Sequence, residues 1–321
     1  MHLQHIGLTR LLKTISLHFY HPQLRRTIDN IVRTCDACQR YKKPQPGYGH
    51  LPTKQVTMQP WNNIAVDLIG PWKIKIGTLE FALRALTSID TDTNLADACL
   101  ISQQSSGHVA MKFHNLWLCR YPKPGRCIHD NGGEFIGPEF QQLLQYYHIQ
   151  DVPTTVLNPT ANAICERMHQ TVANSIRTSI YEHMPTNFVE FYDIVETALA
   201  CAIYALRTAI NVSINTSPGA LTFHRDMLLD IPLHADLHRI QQHRQQLVIR
   251  NAYRQNLHRR EYTYHINDLI LILEHNPSKM EARYHGPYPI QQVHNNGTVT
   301  ILRQPNITER INIRRIKPYY T

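Results

Sequence analysis

Three strand-like segments stand in a row early in the chain, and beyond them helix-like and strand-like segments alternate one for one. That order constrains the fold more than any other feature. Consecutive strands can pair antiparallel through short turns, whereas strands separated by helices need crossovers, so the segment predicts an α/β fold with a mixed sheet covered by helices. The strand-like runs are Asn63 to Ile69, stopped by Gly70-Pro71, then Phe81 to Ile89 and Asn94 to Ile101, the last two divided by the polar turn Asp90 to Thr93. The alternation follows: His108 to Arg120 helical, Arg126 to His129 a strand, Pro138 to His148 helical, Asp151 to Val156 a strand, then helices over Ala163 to Glu182 and Phe188 to Leu206. Together they define a domain over 61–225.

The flanks read differently. Residues 1–45 form a short helical module, with Leu8, Leu11, Leu12, Ile15 and then Leu24, Ile28, Ile31, Val32 at helical spacing and Pro22 between the two runs. Prolines 44, 46, 52 and 60 with glycines 47 and 49 make 46–60 a linker. A polar, basic linking helix occupies 226–262. In 263–321 the period changes to that of strands, at Leu269 to Leu273, Tyr288 to Val293 and Val299 to Leu302. Asn296-Gly297 is a hairpin signal between the last two, and the segment predicts a small β-barrel of about five strands.

Charge follows the same division. Of a net +9, residues 1–50 carry eight basic and two acidic side chains, 51–238 carry twelve and seventeen, and 239–321 carry thirteen and five. Basic ends suit a polyanion and an acidic centre suits divalent metal. The longest apolar region, near Ile194 to Leu206, is broken by Glu196 and is too short to span a membrane. No secretory signal precedes it, and seven scattered cysteines with one close pair argue against a disulfide framework, so an intracellular protein is expected.

Three acids stand out by placement. Asp67 lies inside the apolar run Ala65-Val66-Asp67-Leu68-Ile69, where a charge is costly unless paired or bound to metal. Asp130 ends a strand and precedes the turn Asn131-Gly132-Gly133-Glu134-Phe135. Glu166 lies early in a helix signalled by Asn158-Pro159, with Asn162 as its N-cap. On that helix Ile164, Met168, Val172 and Ile176 form the core stripe, and Glu166 shares a more exposed sector with Gln170, Ala173 and Arg177. A central-strand acid, a strand-end acid and a helix acid can converge to hold two divalent metals roughly 4 Å apart, the arrangement that drives in-line phosphoryl displacement.

With 35 residues between Asp130 and Glu166, the stretches VDLIGP, HDNGGEF and NPTANAICERMHQTV resemble the D,D-x35-E core of retroviral and gypsy-class retrotransposon integrases. The resemblance implies an RNase H-like core, with Asp67, Asp130 and Glu166 as its Mg²⁺ (or Mn²⁺) ligands and catalytic triad. It also implies end processing and strand transfer of element DNA, with double-stranded DNA (element ends and host target) and further copies of the chain as partners. Cytoplasmic assembly and action in the nucleus follow from that reaction. Asn158, Pro159 and Asn162 fall on the family's loop that grips the DNA end. Many relatives carry lysines further along the helix; Gln170 and Ala173 stand there instead, leaving phosphate contacts to Arg167, His169 and Arg177. A decayed or domesticated copy that binds DNA without catalysis is the alternative, and an RNase H-type nuclease or cut-and-paste transposase the third reading.

At the amino end, Cys35-x2-Cys38 preceded by His5 offers thiolate and imidazole ligands of the kind that hold tetrahedral Zn²⁺. HIGLTRLLKTISLHFYHPQL followed by VRTCDACQRYK resembles the integrase HHCC module, which implies a structural zinc on His2, His5, Cys35 and Cys38. Only two residues separate His2 from His5, closer than is usual in the family. The first ligand is thus His2, a histidine upstream of this start, or one of His18 and His21. Gly286-Pro287-Tyr288 resembles the GPY/F element of gypsy-class integrase tails, and Arg314, Arg315 and Lys317 after it imply DNA binding.

Overall fold

The computed structural model describes residues 5–42, 46–53, 55–154, 159–229, 231–233, 236–274, 277–305 and 307–321, the side chains of 159–163 excepted. The chain divides into two compact units, one of residues 55–247 and one that joins the two ends, 1–54 and 248–321.

The first unit contains β1 (Asn63–Ile76), β2 (Leu79–Asp90), β3 (Ala96–Ile101), α4 (Ser106–Phe113) running into a π-helical turn, β4 (Arg126–His129), α5 (Gly133–Ile136), α6 (Pro138–Tyr146), β5 (Gln150–Pro153), α7 (Pro159–His183), α8 (Phe188–Thr208) and α9 (Pro218–Phe223). The strand order is β3-β2-β1-β4-β5, antiparallel on the β2 side of β1 and parallel on the β4 side. This is the mixed sheet that three strands followed by alternation predict.

Because strand side chains alternate, β1 feeds two cores. Ala65 and Ile69, with Ala85 and Ile89 of β2, are covered by Met168, Val172 and Ile176 of α7 and by Phe191, Val195 and Leu199 of α8. Ile64 and Val66, with Leu86 and Cys127, are covered by Val109, Phe113, Trp117 and Phe140. The step-of-four stripe on α7 is thus the buried one, each large side chain contributing about 1.5–3 kcal/mol, and a one-residue slip of β1 would exchange its two faces.

Gly70-Pro71 does not end β1. The strand continues to Ile76 across a register irregularity between Ile69 and Trp72. Gly70 has φ +111, and a Cβ there would stand 2.9 Å from the Leu83 carbonyl oxygen, so glycine is what lets the strand bulge and resume. A proline without an N–H is tolerated at such a bulge.

The second unit holds α1 (Leu8–Ser16), α2 (Leu24–Thr34) and α3 (Asp36–Tyr41), then β6 (Leu269–Leu273), β7 (Tyr284–His294), β8 (Thr298–Gln304), β9 (Ile307–Asn312) and β10 (Ile316–Pro318). The division between units falls inside α10 (Leu237–Asn256). Five tail strands are present, but the expected barrel is an open sheet among the described residues: the order β10-β6-β7-β8-β9 leaves β9 and β10 at opposite ends. β7 is irregular against both neighbours, which bends it. Gly286 sits at one of these places with φ +127, and a Cβ there would lie 2.7 Å from the Ile270 carbonyl oxygen. Gly286-Pro287-Tyr288 is therefore a bending element of the sheet. Ile270, Ile290, Val299, Ile301 and Ile311 form the core.

The sequence treats the helical module and the tail as separate modules. Here they share one unit. The Gln39 amide donates to the Tyr320 carbonyl and accepts from its N–H, both at 2.9 Å. Tyr319 donates its hydroxyl to Asp36, and the Arg33 guanidinium stands 3.7 Å from the Tyr320 ring centroid. No helix among the described residues is long and apolar enough to cross a membrane.

Candidate active site

Asp67 shares with Ala65 and Ile69 the β1 face that α7 covers. Its side chain is 26% exposed. Burial pushes its carboxyl up to about 6, against the lowering effect of the Leu68 N–H that donates to Oδ1 at 2.8 Å; the negative charges of Asp130 and Glu134 push the same way as burial. A partly desolvated carboxylate in the field of two others is held at an energetic cost that a bound cation would relieve.

Asp130 follows β4, the parallel neighbour of β1, where Ala65 pairs with Ile128. The end of that strand is anchored. The His129 side chain is fully buried, stacks on Phe135 with ring centroids 5.2 Å apart, and its Nε2 meets Asp151 Oδ1 of β5 at 2.6 Å. Asp130 Oδ1 accepts the Gly132 N–H at 2.9 Å. A Cβ on Gly132 would lie 2.9 Å from both Asp130 Oδ1 and Glu134 Cδ, so a residue without a side chain is what permits these two carboxylates to crowd together. Glu134, in the first turn of α5, is a site residue that sequence reasoning misses; the paired glycines before it are its only signal.

Glu166 is exposed on α7, beside the buried Cys165. Burial pushes the Cys165 thiol up to about 12, and the charges of Asp67 and Glu166 add to the shift. The thiol is therefore inert and lies within the field of both acids. Asp67 thus lies in the field of Asp130 and Glu134, and Glu166 is exposed on the helix that covers the same face of β1. Among the described residues the only group of three metal-binding side chains with ligand atoms within 4.8 Å of one another is His5, Cys35 and Cys38, so the acidic triad is wider than that. Hard oxygen ligands of this kind suit Mg²⁺ or Mn²⁺.

The residues expected to touch DNA divide. Arg167 and Arg177 are exposed on α7, Arg177 donating to Asn174 at 3.0 Å. Asn158 lies outside the described residues. Asn162 falls within α7, which begins at Pro159, rather than at its N-cap, and its side chain is not described. His169 faces the sheet: Nε2 is 2.9 Å from Thr87 Oγ1, Nδ1 is 3.9 Å from Asp67 Oδ2, and burial pulls its pKa down to about 4. Arg314 and Arg315 are half-buried in the turn before β10. Lys317 is withdrawn from solvent, its ammonium donating to the Gln39 carbonyl and standing 3.6 Å from the Tyr284 ring centroid, with its pKa pulled down by burial to about 8. That lysine ties the tail to the helical module.

In the helical module His5 Nδ1 stands 3.4 Å from Cys35 Sγ and 3.5 Å from Cys38 Sγ, two thiols and an imidazole around one point. These are the donor types of structural zinc. His2 lies outside the described residues, and His18 and His21 are not part of the group.

Known proteins resemble this chain. Residues 1–44 match the model of the integrase zinc-binding domain. The chain is 21% identical over 342 aligned residues to the retrovirus-related Pol polyprotein from transposon 412 of Drosophila melanogaster, covering 99% of this chain and 27% of that protein. It is 24% identical over 205 residues to the Pol polyprotein of an Ovine maedi visna related virus, covering 63% and 16%, and 20% identical over 322 residues to the Pro-Pol polyprotein of Simian foamy virus type 3, covering 98% and 27%. The chain therefore spans about a quarter or less of these relatives. In fold it is similar to a chain of the simian T-cell lymphotropic virus intasome solved in complex with PP2A regulatory subunit B56 gamma, with TM-score 0.65 and 16% identity over 99% of this chain and 96% of that one. By sequence and by fold the chain resembles retroelement integrases.

Proposed function

We propose that the chain is a retroelement integrase, a metal-dependent polynucleotidyl transferase that processes the ends of an element's DNA copy and joins them to host DNA. The observation that carries this reading is the placement of Asp67 on the central strand, Asp130 at the end of its parallel neighbour, and Glu166 on the helix that covers that face.

Asp67, Asp130 and Glu166 would hold the Mg²⁺ or Mn²⁺. A metal held there would supply activation of the attacking hydroxyl and neutralisation of charge at the leaving oxygen. The chain's own residues supply the geometry. The Leu68 N–H orients Asp67, the His129–Asp151 contact fixes the strand end that carries Asp130, and Gly132 leaves room for the acids to approach. Arg167, adjacent to Glu166, and Arg177, about three turns further along the same helix, offer positive charge to the backbone of duplex DNA. His5, Cys35 and Cys38 would hold a structural zinc with His2 as fourth ligand, and the metal's contribution there is to folding. Retention of all three acids and of three zinc ligands, His5, Cys35 and Cys38, favours a working enzyme over a decayed copy. Partners are then element ends, a host target and further copies of the chain, with action in the nucleus after cytoplasmic assembly.

The reading is tested by incubating the zinc-loaded chain with labelled duplex oligonucleotides and a plasmid in Mg²⁺ or Mn²⁺. Joined product that disappears in Asp130→Asn and Glu166→Gln is the expected result. Binding without joining would overturn the assignment of activity, and efficient cleavage of an RNA:DNA hybrid would replace it with a nuclease.

A further inference from the structure

His169 lies one helical turn beyond Glu166 and is the one residue of α7 that, among the described residues, carries a side-chain hydrogen bond to the sheet. Its partner is Thr87 of β2, fully buried and the register partner of Asp67 across the β1–β2 pair. The protons in this chain of contacts can be counted. The Asp67 carbonyl can only accept, so the single Thr87 hydroxyl proton goes to it, at 2.9 Å. Thr87 Oγ1 is then an acceptor toward His169, and the imidazole must carry its proton on Nε2. Nδ1 faces Asp67 Oδ2 at 3.9 Å, too far for a direct bond.

We infer that His169 is a positioning residue for the acidic site: through Thr87 it locks the register of α7 over β1, and with it the reach of Glu166 toward Asp67. This rests on the proposed metal site and goes beyond it, because His169 touches neither DNA nor metal in this role. Helix packing alone fixes α7 less finely. Met168, Val172 and Ile176 are apolar contacts that tolerate small slides, whereas a hydrogen bond from a stiff ring to a fixed hydroxyl does not.

The test is calorimetric titration of the zinc-loaded full chain with Mn²⁺ in the absence of DNA, with thermal unfolding followed alongside. His169→Leu removes the donor at similar volume; His169→Gln keeps an N–H near the Nε2 position; Thr87→Val removes the acceptor. The expected result is a Mn²⁺ affinity about tenfold weaker for His169→Leu and for Thr87→Val. Unfolding midpoints stay near that of the parent, His169→Gln recovers most of the affinity, and the Leu/Val double variant loses no more than either single change. Parent-like affinity in His169→Leu, or a Gln variant no better than Leu, would overturn the inference. If His169→Leu does not fold, Thr87→Val and His169→Gln decide it by the same criteria. A parent and Asp130→Asn that bind Mn²⁺ equally would instead remove the metal site itself, and the positioning role with it.

Discussion

At the scale of single residues, the site is built from groups that would be more stable elsewhere. The Asp67 carboxyl is raised from 3.8 to about 6, so between these values the native state keeps a proton that the unfolded chain has released. Its protonated form thus contributes stability that is present below about pH 4 and lost as pH rises through about 6. Asp67→Asn, without metal, should therefore be more stable than the parent at about pH 7.5 by about 1–3 kcal/mol, with the gap narrowing toward about pH 4, as read by urea denaturation at the two pH values. Gly132→Ala should unfold within about 1 kcal/mol of the parent yet join DNA at least about tenfold more slowly in single turnover, because its Cβ enters the space between Asp130 and Glu134. Asp67 is legible in sequence because an acid inside an apolar run is anomalous. Glu134 and His169 are not, since their neighbours Asp130, Asp67 and Thr87 come from other elements.

At the scale of elements, periodicity recovers what it encodes. Arg126 to His129 is a strand with the expected ends, and Met168, Val172 and Ile176 are buried as their spacing requires. Turn chemistry is read less faithfully, because Gly-Pro marks a chain end and a bulge alike: β1 passes through Gly70-Pro71, and β7 through Gly286-Pro287. Helix starts depend on one proline, and α7 begins at Pro159, which places Asn162 inside it. In the basic tail element Lys317 is withdrawn from solvent, which its charge does not reveal. Lys317→Ala should destabilise the unit of the two chain ends by about 1–2 kcal/mol through loss of the Gln39 and Tyr284 contacts. The slope of DNA affinity against salt should stay unchanged, whereas a true phosphate contact would reduce it by about one.

At the scale of the whole molecule, the chain divides into two compact units, and the joining of its two ends in one of them is invisible in sequence because Gln39 and Tyr320 meet across nearly the full chain. The zinc ligands stand next to that junction, Cys38 preceding Gln39 directly. Zinc removal by a chelator should thus unfold the unit of the chain ends, tail sheet included, while the unit of residues 55–247 keeps its own transition in calorimetry. A single shared transition that chelation leaves in place would contradict this. The mixed sheet and the acids it carries were open to sequence reasoning because strand order and an acid in an apolar run are local facts; the closeness of the acids to one another is not. Crystals of the zinc-loaded chain soaked in Mn²⁺ and measured at the manganese edge test that closeness most directly. Anomalous density between Asp67 and Asp130, with Glu166 turned toward it, is the predicted result; density elsewhere, or none at the three acids, would contradict the assignment of this site.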